Sequence, residues 1–304
     1  MGCYICEKND LTEILDLGNH PPPLILLSKN ELNDKSEPLF PLKLFFCENC
    51  GLVQLKDAVD PELLFRNYTY TSSASASFKN HLYDFAKYLV SKFSLTKNDL
   101  VIDIASNDGT LLEGFLPFKI KVLGIEPSTV AQLAEQKGVT TVNDFFDESV
   151  AKTILEKWGK AKIITATNVF AHIHKLDSLM KGIKLLLDDD GSFVSENHYL
   201  KDLVEKLEYD TIYHEHLRYY GLTQLVTLFE KYGMEVYDVE RISTHGGSIR
   251  VFACKKNTHE ITSNVLSLLE EEEKMGLTSK QTLISFADRV SQNKTELLSL
   301  LNQL

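Results

Sequence analysis

Asp103-Ile-Ala-Ser-Asn-Asp-Gly-Thr110 follows the apolar run Leu100 to Ile104 and opens a helical pattern. A strand that turns through small residues into a helix is where a doubly wound sheet holds its cofactor, because small side chains let the backbone approach. Taken alone, such a loop is degenerate. Its weight comes from Glu126, 23 residues beyond Asp103 and just after the next apolar run, where a carboxylate can accept both hydroxyls of a ribose. A dinucleotide fold asks for further glycines in G-x-G-x-x-G, whereas this loop offers Ala105, Ser106, Asn107, Asp108 and Gly109, and a pyrophosphate would meet Asp108. S-adenosylmethionine carries a sulfonium and an ammonium and no phosphate, so an acidic loop suits it. Asp103 and Asp108 are expected at its amino-acid end and Glu126 at the ribose, with Pro127 also in the cofactor site; Asp144 reaches the adenine amine or is a solvated loop acid.

Outward from this loop, strand-like runs at Val122 to Ile125, Thr140 to Val142, Lys162 to Thr165 and Ser192 to Val194 alternate with amphipathic segments. The rhythm predicts a Rossmann-like, mostly parallel sheet covered on both faces. Glu235 to Val239 and Ser248 to Ala253, joined by a glycine-containing loop, predict an antiparallel edge hairpin. Phe78, Leu82, Phe85, Leu89 and Phe93 predict a helix leading into the sheet. Thr278 with Gln281 has capping-box spacing before the stripe Leu283, Phe286, Val290 and Leu297.

Four of the five cysteines form the pairs Cys3-x-x-Cys6 and Cys47-x-x-Cys50, separated by 40 residues. Two such turns complete a closed tetrahedral site of four thiolates, so structural zinc is expected. A redox dithiol needs only one pair, and disulfides are disfavoured in a reducing cytosol. Pro21-Pro22-Pro23 in the insert marks irregular chain, so this module is expected to be loop-rich and dependent on the metal. Cys254, in an apolar run, is expected as a buried, inert thiol. The reading divides the 304 residues into a zinc-binding module at 1–72, a methyltransferase domain at 73–256 and a helical segment at 257–304.

The formal net charge of −11 lacks the basic field that phosphate backbones or anionic lipids require, so neither nucleic acid nor membrane is an expected partner. No apolar stretch approaches the ~18 residues that span a bilayer, and Met1 to Asp16 lacks a signal-peptide core. Cys6 stands where an N-myristoylation motif wants Ser or Thr. The expected location is the cytoplasm.

The densest chemistry lies in Asp210-Thr-Ile-Tyr-His-Glu-His-Leu-Arg-Tyr-Tyr220. His214, Glu215 and His216 do not form H-E-x-x-H, and general acid-base chemistry is the better reading than a metal. A histidine can take a proton from carbon beside a ketone if neighbouring donors hold the enolate oxygen.

At this point the chain resembles the sugar C-methyltransferases of deoxysugar pathways, which methylate the carbon beside the keto group of TDP-4-keto-6-deoxyhexoses. The resemblance rests on the double knuckle ending in Cys50-Gly-Leu-Val-Gln-Leu55, Tyr68-Thr-Tyr70 with Ser72-Ser73, Ser106-Asn-Asp-Gly-Thr-Leu-Leu112, Gly124-Ile-Glu-Pro-Ser128, Asn168-Val-Phe-Ala-His172, Tyr213-His-Glu-His216 and His245-Gly-Gly-Ser-Ile-Arg250. It implies a nucleotide-linked keto sugar as substrate, His216 as the base, and Tyr213 and Glu215 positioning the sugar or enolate. It further implies Asn168 and His172 flanking the pocket, Asn168 also within reach of the cofactor, and Tyr70 or Tyr68 closing from the N-terminal side; His245 is pocket or turn. Methylation of oxygen or nitrogen on another metabolite, or cofactor binding without activity, are the competing readings. Two departures stand out. Ala105 replaces the family's glycine, and members continue past the Ser279 to Leu304 helix into another α/β domain, so the C-terminal domain is expected to be missing or truncated.

Overall fold

The computed structural model describes residues 2–23, 26–29, 37–66 and 68–304; Met1, Asn67 and part of the segment between the knuckles lie outside them. After the first knuckle, β1 (Leu11–His20) pairs antiparallel with β2 (Phe40–Cys47), which pairs with β3 (Val53–Leu55). The module is therefore not loop-rich as expected. Leu42, Leu44 and Phe46 give β2 one buried face, and Phe45 and Cys47 bury its second half on the other face as well, an apolar run that outweighs the proline run before it. With Leu15, Val53 and Leu55 they share a core with residues far along the chain, including Leu203, Leu283, Phe286 and Val290.

After α1 (Pro61–Phe65) comes α2 (Ala76–Lys92), whose N-cap Ser75 accepts from Phe78 N and whose buried residues are Leu82, Phe85, Ala86 and Leu89. The chain then alternates: β4 (Leu100–Ile104), α3 (Thr110–Glu113), β5 (Lys121–Ile125), α4 (Ala131–Gln136), β6 (Thr141–Val142), α5 (Glu148–Trp158), β7 (Ala161–Thr167), α6 (Leu176–Leu186) and β8 (Leu187–His198). Next come α7 (Leu200–Lys206), β9 (Arg218–Tyr219) and α8 (Leu222–Lys231). Finally β10 (Met234–Ile242) and β11 (Ser248–Lys255) precede α9 (Ser263–Met275) and α10 (Lys280–Leu301).

The large sheet runs β10-β11-β8-β7-β4-β5-β6, parallel from β8 to β6 and antiparallel at the β10/β11 edge. This is the doubly wound sheet with its edge hairpin. Every residue of β4 is buried, and its neighbours alternate between covers: Ile102 and Ile104 face one core, Val101 the other. The strand order reverses between β4 and β7, which opens a crevice at their carboxyl ends. The small sheet takes its fourth strand, β9, from the segment just beyond His216. The module is thus woven into the larger body.

The last helix starts one residue later than the spacing suggested. Ser279, not Thr278, is the N-cap and accepts from Gln281 N, and Leu297 is exposed while Leu283, Phe286 and Val290 are buried. Cys254 is fully buried and its thiol is pushed up to about 11 by that burial, as expected of an inert group.

Candidate active site

A cavity of about 1250 Å³ lies at the carboxyl ends of the parallel strands. That exceeds the roughly 300 to 1,000 Å³ of an ordinary ligand pocket, leaving room for a cofactor beside a second molecule.

One wall comes from the loops after β4 and β5. Ala105, Asn107 and Gly109 all adopt left-handed φ, near 54°, 52° and 72°. A Cβ on Gly109 would stand 2.7 Å from the Ala134 side chain, so only glycine fits there. Glu126 is fixed from two sides, accepting from Asn107 N and Ser128 N at 2.9 Å each. The Asn107 side chain accepts from Ser72 N at 2.8 Å and donates to Tyr70 O at 3.0 Å, which ties the 70–72 segment to this wall. Asp103 is buried and accepts from Thr165 Oγ1 at 2.6 Å; burial, with Glu126 nearby, pushes its carboxyl up to about 7.

Asp103, Ala105, Ser106, Asn107, Glu126, Pro127 and Asn168 line the cavity; Asp108, Gly109 and Asp144 do not. Asp108 instead pairs with Lys137 at 3.1 Å and accepts from Thr110 Oγ1 at 2.6 Å, and Asp144 accepts from the adjacent Phe145 N. In this structure both acids bond to neighbouring residues and neither lines the cavity. The carboxyl groups of Asp103 and Glu126 in a cradle of small residues fit a cationic cofactor that carries no phosphate.

The facing wall combines distant segments. His216 is buried, with Nδ1 2.9 Å from Thr211 O and Nε2 2.9 Å from Tyr213 Oη. A carbonyl only accepts, so the ring proton sits on Nδ1 and Tyr213 donates to the Nε2 lone pair. Burial, then the neighbouring His172, pushes His216 down to about 3, and the ring is neutral throughout the physiological range. Burial also pushes Glu215 up to about 7, so it is partly protonated near neutrality and can donate; Tyr68 Oη lies 3.3 Å from it. Tyr68 therefore takes the inner position, while Tyr70 is 39% exposed at the rim.

Asn168 is held at φ 55° and both of its amide atoms, like Nε2 of His172, are buried without a hydrogen-bond partner among the described residues. Such orphans are uncommon and suit a wall that meets a ligand. His214, by contrast, turns away to Phe40 O at 3.2 Å. His245 is both pocket and turn: it lines the cavity at a left-handed φ of 52°.

Sequence reasoning missed His198, whose ring centre lies 4.9 Å from that of His216 and 5.3 Å from that of His245. Its position at the carboxyl end of β8 was the available signal. Glu208 and Asp210 also line the cavity.

Away from the cavity, the four knuckle thiols lie within 4.8 Å of one another, with Cys3 Sγ 3.4 Å from Cys50 Sγ and Cys6 Sγ 3.5 Å from Cys47 Sγ. Zinc–sulfur bonds of about 2.3 Å give tetrahedral edges of about 3.8 Å, so the set fits one zinc ion with no open position. Among the described residues no helix is long and apolar enough to cross a membrane.

Comparison with known proteins places three family matches along the chain. Residues 3–65 match a zinc binding domain, 78–239 a methyltransferase domain and 243–304 a C-methyltransferase C-terminal domain. The last match corrects the expectation of a missing C-terminal domain: β11, α9 and α10 belong to it. The chain is 34% identical to C-methyltransferase NovU of Streptomyces niveus over 98% of its own length and 71% of that protein's. Among solved structures, a S-adenosylmethionine-dependent methyltransferase from Clostridium acetobutylicum ATCC 824 is 18% identical, covering 60% of this chain and 93% of that one with a TM-score of 0.45. Magnesium protoporphyrin IX methyltransferase (ChlM) from Synechocystis PCC 6803, with bound SAH, is 14% identical over 59% and 83% with a TM-score of 0.45. With residues 3–65, 78–239 and 243–304 all matched and a C-methyltransferase 34% identical over 98% of this chain, the chain belongs to the S-adenosylmethionine-dependent C-methyltransferases.

Proposed function

We propose that the acceptor is a nucleotide-linked keto-deoxysugar of the TDP type, methylated on the carbon beside its ketone through an enolate. The observation that carries this reading is the neutral, buried His216 with its proton on Nδ1 and its Nε2 lone pair beside Tyr213 in the cavity wall. A carbon acid needs such a base together with donors for the oxygen on which charge develops. With an acceptor bound, Tyr213 would turn its one O–H from Nε2 to the carbonyl oxygen; the freed Nε2 lone pair takes the α-proton, the electron pair of the C–H bond moves toward that oxygen, and the protonated form of Glu215 is a second donor at hand. S-adenosylmethionine, when bound, supplies an electrophilic methyl group. Asp103 and Glu126 would hold its cationic and ribose portions, and Asn168 would sit between cofactor and acceptor.

The seven sequence motifs shared with sugar C-methyltransferases support the sugar, and Lys175 supports the nucleotide: it is the one Lys or Arg lining the cavity among the described residues, and it is exposed. The test is incubation with a panel of nucleotide keto sugars and methyl-labelled cofactor, read by mass spectrometry. Label on carbon of a keto sugar is expected; label on oxygen or nitrogen of another acceptor, with none on any keto sugar, would overturn the reading.

A further inference from the structure

Arg218 is the largest of the fully buried side chains, 1% exposed, two residues beyond His216 on β9. A buried guanidinium ordinarily finds a carboxylate. Here, among the described residues, its hydrogen bonds within 3.5 Å go to backbone carbonyls and Nε and Nη1 have none at that distance, while the neighbouring Tyr220 hydroxyl interacts with the cation more loosely. Nη2 donates toward three carbonyls of the loop after β7: Phe170 O at 3.1 Å, Ala171 O at 3.3 Å and Ile173 O at 2.5 Å. Leu217 N adds a backbone bond to Ala171 O at 3.1 Å. These carbonyls bracket His172 and follow Asn168.

On its other side the guanidinium lies over the ring of Tyr4, 4.7 Å from its centre. Tyr4 stands between Cys3 and Cys6, and its N–H is held by Gln54 Oε1 at 3.0 Å, on the residue that pairs with Arg218 across β3 and β9. The cation thus bridges the zinc knuckle and the loop that carries the unpartnered polar groups of the cavity. Its charge also reaches His172 and His174, helping burial keep both rings neutral.

We propose that Arg218 is a positioning residue that transmits the order of the zinc knuckle to the loop 168–174, so that the metal module sets the geometry of the reacting wall from outside the cavity. The catalytic consequence rests on the proposed role of that wall; the mechanical link does not. The knuckle supplies a rigid aromatic platform, the platform fixes the plane of the guanidinium, and the guanidinium collects carbonyls that no helix or strand satisfies.

The experiment is hydrogen–deuterium exchange by mass spectrometry on the full chain, with zinc content and S-adenosylmethionine affinity measured on the same samples. Arg218→Met and Tyr4→Leu should each raise exchange in peptides covering 168–175 by about tenfold or more, while peptides covering 100–126 stay within about twofold and zinc stays at one per chain. Arg218→Lys should fall between Met and wild type, and Tyr4→Phe, which keeps the ring, should match wild type. If Arg218→Met does not fold, Tyr4→Leu carries the same test from a residue that touches no part of the cavity. Exchange at 168–175 within about twofold of wild type in the folded variants, or a rise spread evenly over the chain, would overturn the proposal. Because exchange needs no acceptor, a local rise with no methylated keto sugar would leave this link standing and remove the sugar reading instead.

Discussion

Along the wall formed by the ends of β4 and β5, Asp103 is held by Thr165, Glu126 by two backbone N–H groups and Asn107 by the 70–72 segment. Along the wall after β7, both amide atoms of Asn168 and the Nε2 atoms of His172 and His174 have no partner among the described residues. Ser106 Oγ is the first wall's exception. The difference teaches how the two halves are specified. On the proposed reading, the cofactor would be met by a preorganised turn whose polar groups are mostly satisfied already, and the acceptor in part by groups left wanting a partner.

That contrast breaks if damage to one wall spreads to the other. The largest separation is expected from His216→Ala, which should lower turnover by at least ~10² while leaving cofactor affinity within about twofold. Steady-state kinetics and calorimetry on the same preparation check both; lost cofactor affinity would erase the distinction. The reciprocal change, Glu126→Ala, should weaken S-adenosylmethionine binding by about 1 to 3 kcal/mol, the scale of a lost charge-assisted hydrogen bond. Unchanged calorimetric affinity would move the cofactor off this wall.

Asn168→Ala sharpens the contrast from the other side. Removing a buried amide that has no partner should leave the thermal midpoint unchanged or raised, while acceptor KM rises about tenfold, as for one lost hydrogen bond of about 1.4 kcal/mol. A marked fall in the midpoint would show the amide to be structural. The smallest effect concerns pH. Burial raises the Asp103 carboxyl to about 7, and a cationic cofactor favours its ionised form, so affinity should fall as pH drops below 7, by at most about tenfold per unit. Titration calorimetry at about pH 6, 7 and 8 should show that slope in the wild type and lose it in Asp103→Asn.

The same division governs what could be read in advance. The cofactor wall is built from residues close in sequence, and its signals are local: small residues after a strand and an acid after the next one; the left-handed turns at Ala105, Asn107 and Gly109 emerged only with the structure. Even there, chain-local reading could not tell which acids turn inward, because Lys137, arriving from the end of α4, draws Asp108 away. The reacting wall is assembled from five segments, near Tyr68, Asn168, His198, His216 and His245. Composition singled out the 210–220 cluster, but only the fold separates His216 from His214, which lies two residues away and faces Phe40. His198 carried no local pattern and was legible only through its strand end. The β1/β2 ladder was hidden by irregular sequence between the knuckles, although the apolar run from Leu42 to Cys47 was its local signal.

The central claim is that a neutral His216 removes a proton from carbon. It is tested most directly with S-adenosylhomocysteine bound in place of the methyl donor and a TDP-4-keto-6-deoxy sugar in deuterated water, followed by nuclear magnetic resonance. The account predicts loss of the proton signal beside the ketone with the wild type and a rate at least ~10² lower with His216→Ala. Exchange at the wild-type rate in the variant would contradict it and transfer the role to another group of the reacting wall.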